Sequence, residues 1–209
     1  YQDLSQQVYQ MLKHMILVGE LKTGEKLKQD ELAERLGVSR TPLLSAFSKL
    51  EKEMLVETIP RRGAFVRKYE LKELIDIYEI RVRLEPFGAA KAAATATDQG
   101  IEELIAKCHA FAELAPSQDP GLKELDYDIH MFVMQLSGSN LLYNIISSYS
   151  IIPIANFYGF FKEPSTSATE HQVLCRAIER RDEEGAYASM FDHVDSSRRH
   201  LMELLEKKE

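Results

Sequence analysis

Four residues in the C-terminal half of this 209-residue chain have the types and spacing of a metal site. Asp126 and His130 stand four apart, which on a helix puts both on one face, about 6 Å apart at Cβ. His171 and His193 are each eleven residues from Asp182, so two antiparallel helices turning near Arg181–Glu184 would bring them level on facing surfaces. Three imidazoles and one carboxylate converging inside a helical bundle suit a borderline divalent ion such as Zn²⁺ or Ni²⁺, and would also accept Mn²⁺, Co²⁺ or Fe²⁺. The same spacing is met by histidines simply satisfied in a core or on a surface, so on spacing alone both readings stand. His14, His109 and His200 have no comparable arrangement and read as structural. A metalloenzyme built on the four ligands would find only Asp128 and Glu170 near them as a general base. Cys108 and Cys175, far apart and outside any Cys-x-x-Cys pair, fit buried or free thiols in a reducing compartment.

The elements that must position these residues are helical. From Leu71 onward the pattern predicts an antiparallel bundle of about six helices, with no β-rich segment and no internal repeat. Leu71–Thr95 is long and Ala-rich; Thr97 or Asp98 caps Gln99–Leu114; Pro116–Gly121 is a loop; Leu122–Leu136 ends at Ser137-Gly138. Asn140–Tyr158 is apolar and bent near Pro153, Ser165 or Thr166 opens Ser167–Arg180, and Glu183–Glu206 closes the chain.

The N-terminal part has a different pattern. Leu4–Val18 shows one apolar face and stops at Gly19. Within Gln29–Leu50, Leu32, Ala33 and Leu36 share a helical face, Gly37 supplies a left-handed stop, and Ser39 caps a second helix that tolerates Pro42 in its first turn. This is a helix-turn-helix. Two β-prone runs follow around the tip Pro60-Arg61-Arg62-Gly63, a wing that can lie along a DNA backbone or in its minor groove. Ser39, Arg40 and Thr41 at the start of the second helix and Arg61, Arg62 and Gly63 in the wing are the candidate DNA contacts. The expected division is a DNA-binding domain over residues 1–68 and a helical domain over 69–209, joined without a Gly/Ser linker.

Charge agrees once it is divided. The net −7 separates into 12 Lys/Arg against 10 Asp/Glu in residues 1–70 and 14 against 23 in residues 71–209. The acidic part is not the part that meets DNA. The most apolar stretch, Ile145–Phe161, is too short and too interrupted to span a bilayer, so no membrane partner is expected. The chain starts at Tyr1 rather than Met, consistent with further residues before it, and nothing resembles a signal peptide; the expected location is the cytoplasm.

LGVSRTP, beginning at Leu36, and the wing RRGAFV resemble the winged helix-turn-helix of GntR-family bacterial transcription regulators. Tyr78–Asp98, Leu125–Leu142 and Glu170–Asp182 resemble the all-helical FCD ligand domain of the FadR-like branch, so the likeness spans essentially the whole chain. It implies that Asp126, His130, His171 and His193 are the metal ligands of the FCD pocket and that Arg81 faces that pocket. Where the family commonly has Arg followed by Glu after the Thr-Pro-hydrophobic run, this chain has Leu44-Ser45, and Leu44 cannot hydrogen-bond a guanine or a phosphate. The expected function is a homodimeric regulator, more often a repressor, on double-stranded operator DNA, switched by a small organic acid bound between the ion and Arg81. A sensor of the ion itself is the alternative, and a metalloenzyme a more distant one.

Overall fold

The structure is a computed structural model that describes residues 3–117, 119, 121–148 and 162–207. The chain divides into two compact units, one ending at Tyr69 and the other beginning at Glu70.

In the first unit, α1 (Leu4–Leu17) buries Val8, Leu12, Met15 and Ile16, and Asp3 caps it by accepting from the Ser5 amide. α2 (Gln29–Leu36) ends at Gly37, whose φ of 65° is the left-handed turn a glycine adopts freely. α3 (Arg40–Lys52) packs against α1 through Leu43, Ala46, Phe47 and Leu50, each of the larger side chains contributing roughly 1.5–3 kcal/mol on burial. Ser39 stands at the N-cap with extended backbone, but its side chain makes no capping hydrogen bond, contrary to the expected cap.

The wing strands are β2 (Val56–Ile59) and β3 (Gly63–Val66), antiparallel with Val56 opposite Val66 and Ile59 opposite Gly63. A third strand, β1 (Lys26–Leu27), pairs with the other edge of β3, giving the order β1-β3-β2. Two residues carry no alternation, so no pattern announced it. At the tip Arg61 takes the left-handed turn (φ 64°), and Gly63 (φ 101°) begins the returning strand.

In the second unit, α4 (Leu71–Thr95) opens with a capping box between Glu70 and Glu73, and α5 (Asp98–Leu114) with Thr97 accepting from Gly100. A 3₁₀ turn (Ala115–Ser117) precedes α6 (Leu122–Leu136) and α7 (Asn140–Ser148). α8 (Pro164–Glu179) starts three residues before the expected Ser167, because Pro164 fits a first helical turn and Glu163 is its N-cap; α9 (Glu183–Glu206) follows. The expected continuation of the α7 helix to Tyr158, with its bend at Pro153, lies outside the described residues. α4 and α9 form the most extensive helix pair, with α5, α6 and α8 packed around them. Gly88 lets α4 approach α6: a Cβ there would meet the Met134 side chain at 2.5 Å. None of the described helices is long and apolar enough to cross a membrane.

Candidate metal centre and DNA-binding surface

Asp126 and His130 come from α6, His171 from α8 and His193 from α9, and all four side chains are buried. One potential ligand atom from each lies within 4.8 Å of the others. The α8–α9 turn falls at Arg180–Asp182, with Arg181 left-handed (φ 61°) and Asp182 capping α9. The rings of His171 and His193 are consequently 4.6 Å apart, as their equal distance from Asp182 predicts. His14, His109 and His200 are exposed.

Proton positions follow from the neighbours. His130 Nδ1 donates to Glu85 Oε2 at 2.5 Å. Burial opposes ionisation of Glu85, yet the adjacent Arg81 charge and His130 hold its carboxyl down at about 2, so it is an acceptor only. His193 Nδ1 donates to Glu170 Oε2 at 2.7 Å. Lys162 stands 3.2 Å from the same nitrogen, but its three N–H groups are taken by Glu170, the His193 carbonyl at 2.7 Å and Ser196 Oγ at 2.9 Å. Both Nδ1 atoms thus carry protons, and the two Nε2 lone pairs face each other at 3.0 Å.

Two lone pairs that close require something electropositive near them. A shared proton is disfavoured, because burial above all, with the nearby Lys162 charge adding to it, pushes His193 well below the ordinary histidine range. His171 is lowered to about 3, chiefly by burial, and among the described residues neither of its ring nitrogens has a hydrogen-bond partner. Its Nε2 lies 3.5 Å from Asp126 Oδ1, and Asp126 Oδ2 lies 3.9 Å from His130 Nε2. The 3.0 Å between these two nitrogens is less than twice a metal–nitrogen bond of about 2.1 Å, so both could ligate one small divalent cation.

Arg81 is buried beside this cluster. Its Nε bonds Glu85 Oε1 at 2.5 Å, its Nη2 lies 3.5 Å from His130 Nδ1, and its guanidinium stands 4.8 Å from the Tyr78 ring centre. Burial pushes the Tyr78 hydroxyl up to about 12. Sequence reasoning missed Glu85 and Lys162 altogether and took Glu170 only as a conceivable base. Glu85 did leave a signal, as an opposite charge one helical turn after Arg81 on an otherwise apolar face.

On the first unit, Ser39, Arg40, Thr41, Arg61 and Arg62 are exposed, and Gly63 is partly so. Arg40 pairs with Asp30 at 2.5 Å, but both side chains are more than 60% exposed, so the pair is worth about 0–1 kcal/mol and is easily exchanged. Arg62 lies over the Phe65 ring at 5.7 Å. Leu44 is 47% exposed on the same outer face of α3.

The bacterial regulatory protein gntR family matches residues 4–66, and the FCD domain family matches residues 76–196. The chain belongs to the GntR family and carries an FCD domain. Among relatives of this GntR regulator, the uncharacterised HTH-type transcriptional regulator YdhC of Bacillus subtilis is 27% identical, over 96% of this chain and 92% of that protein. The HTH-type transcriptional repressor RspR of Escherichia coli is 25% identical over 92% and 86% of the two chains. The structure of E. coli McbR/YncC superimposes with a TM-score of 0.85 at 22% identity, covering 98% and 100%, and so shares the fold. The protein is a DNA-binding transcription regulator; its family and relatives are regulators rather than enzymes.

Proposed function

We propose that this GntR regulator acts as a homodimeric cytoplasmic repressor whose operator affinity is set by a small organic acid bound at a divalent ion. Asp126, His130, His171 and His193 would hold the ion, with Zn²⁺ or Ni²⁺ best suited to the donor set. The observation that carries this reading is the pair of unpartnered nitrogens on fully buried His171 beside two facing Nε2 lone pairs. When bound, the ion supplies a Lewis-acidic anchor for an anionic oxygen. Glu85 and Glu170 fix the tautomers of His130 and His193, so both Nε2 atoms stay directed inward.

Charge selects the ligand class. Arg81 with Glu85 and Lys162 with Glu170 are neutral pairs, so three imidazoles, one carboxylate and a divalent ion leave about +1 to attract a carboxylate. Glu85 engages Nε and Nη2 of Arg81, and Nη1 is the group that would reach an effector. Ligand binding would draw α6, α8 and α9 together, and the short joint Arg67–Glu70 would pass that change to the spacing of two recognition helices. RspR is described as a repressor, which supports that sign of regulation. At the DNA, Arg40 would read a base edge, Ser39 and Thr41 would meet phosphate or base, and Arg61, Arg62 and Gly63 would lie along the minor groove or backbone. Leu44, in the middle of that face, suits the methyl group of a thymine.

The test is operator release by metal-loaded protein against a panel of small organic acids, with Arg81→Ala beside the wild type. Arg81→Ala should keep the metal and shift half-release by more than tenfold in acid concentration, as expected for losing roughly 2–5 kcal/mol from a buried charged contact. Release by the ion alone, without any acid, would replace this reading with a metal sensor. An Arg81→Ala protein that responds like the wild type would remove Arg81 from the effector site.

A further inference from the structure

Two of the three imidazoles in the cluster have the same kind of backing, a carboxylate behind the ring and a cation behind the carboxylate. His130 Nδ1 meets Glu85, which is held by Arg81; His193 Nδ1 meets Glu170, which is held by Lys162. The two differ in which oxygen is shared. Arg81 takes mainly Glu85 Oε1 and approaches Oε2, the oxygen facing His130, only to 3.5 Å. Lys162 and His193 both use Glu170 Oε2, and Lys162 Nζ stands 3.2 Å from His193 Nδ1. Lys162 lies just before α8 and reaches over to α9, donating also to the His193 carbonyl at 2.7 Å and to Ser196 Oγ at 2.9 Å. Three acceptors for three N–H groups mark the nitrogen as an ammonium. Its side chain is 15% exposed, so water screens only part of its charge.

We propose that Lys162 is a positioning residue that weakens the hold of His193 on the ion and thereby keeps a net positive charge in the site for an anionic effector. The proposal rests on the metal reading above and assigns its regulation to a residue that is not a ligand. A carboxylate on Nδ1 raises the basicity of Nε2 and makes it a better ligand. An ammonium on that same oxygen withdraws part of the effect, and it repels a cation besides. His193 is then the adjustable ligand and His130 the fixed one, because Arg81 and Glu85 are 3% and 0% exposed while Lys162 and Glu170 are 15% and 28%. Without Lys162 the uncompensated Glu170 would bring the loaded shell from about +1 to about 0, which favours the cation and disfavours a carboxylate. A residue that merely anchored α8 to α9 would do the reverse. Its loss would loosen His171 and His193 and weaken metal binding.

The experiment is calorimetric titration of the chelator-treated full chain with Zn²⁺, comparing wild type with Lys162→Met, Lys162→Arg and Glu170→Gln. Lys162→Met should bind Zn²⁺ about tenfold more tightly, Lys162→Arg should stay within about threefold of wild type because it keeps the charge, and Glu170→Gln should bind about 10–100-fold more weakly. Zinc-loaded Lys162→Met should in turn bind acetate, the probe carboxylate, about tenfold less well than zinc-loaded wild type. Zn²⁺ affinity that is unchanged or lower in Lys162→Met would overturn the proposal, lower affinity marking an anchor only. So would an unchanged acetate affinity, or a Lys162→Arg protein that behaves like Lys162→Met. All of these results leave the metal reading standing. A wild type that takes up no Zn²⁺ would instead remove that reading and this proposal together.

Discussion

The two units handle charge in opposite ways. The candidate DNA-binding surface of α3 and the wing holds exposed arginines, one of them in an ion pair that water screens and an operator phosphate or base could displace. The histidine cluster of the second unit is buried, each polar atom has either a fixed partner or conspicuously none, and its carboxylates set the proton on two of the three imidazoles. A surface proposed to release DNA on signal is suited by weak, replaceable contacts. A site proposed to hold an ion does the reverse, because a buried polar group left unpaired costs about 1–3 kcal/mol until a partner such as a cation arrives. Substitutions should therefore act abruptly in the second unit and gradually in the first.

The largest effect is expected from His171→Ala. Removing one of few ligands should weaken metal affinity by at least about 100-fold and abolish the rise in melting temperature that metal gives the wild type. His109→Ala, at an exposed histidine, should change neither. Acid comes next, in the metal-free protein. His171 resists protonation down to about 3 when folded but binds a proton near 6.5 when unfolded, so stability falls as the pH drops through that window. Glu85, held at about 2 against an ordinary 4.5, adds a further loss between those values. Urea midpoints measured from pH 7 to pH 3 should decline throughout; a flat profile would mean these groups are solvated.

Glu85→Gln should be milder, lowering metal affinity by about 10–100-fold through loss of the His130 tautomer lock while the protein stays folded. Calorimetric titration of the variant checks it. The exposed surface should respond least. Arg40→Ala is expected to cost about 1–3 kcal/mol at the operator with relaxed specificity, and Arg61→Ala to weaken all sequences alike while reducing the salt slope by about one. Loss of metal from Arg40→Ala, or loss of base preference from Arg61→Ala, would erase the contrast between the units.

Much of this was legible in the residues. Leu71–Thr95, Leu122–Leu136 and Glu183–Glu206 are helices with the expected bounds, since apolar periodicity and capping residues act locally. The meeting of His171 and His193 was legible because one hairpin fixes register. What sequence did not show is non-local or too short: Glu85 meets His130 across 45 residues, Lys162 meets His193 across 31, and β1 exists only because β3 offers it an edge. The missing side-chain cap at Ser39 is a different lesson, in that a residue of the right type stood at the right position without making the bond.

The central claim, that the buried His/Asp cluster holds a divalent ion, is tested most directly by titrating chelator-treated full-length protein with Zn²⁺ and with Ni²⁺ in a calorimeter at pH 7. The account predicts saturable binding of one ion per chain that disappears in His171→Ala. Binding that is absent in the wild type, or that survives unchanged in His171→Ala, would contradict it.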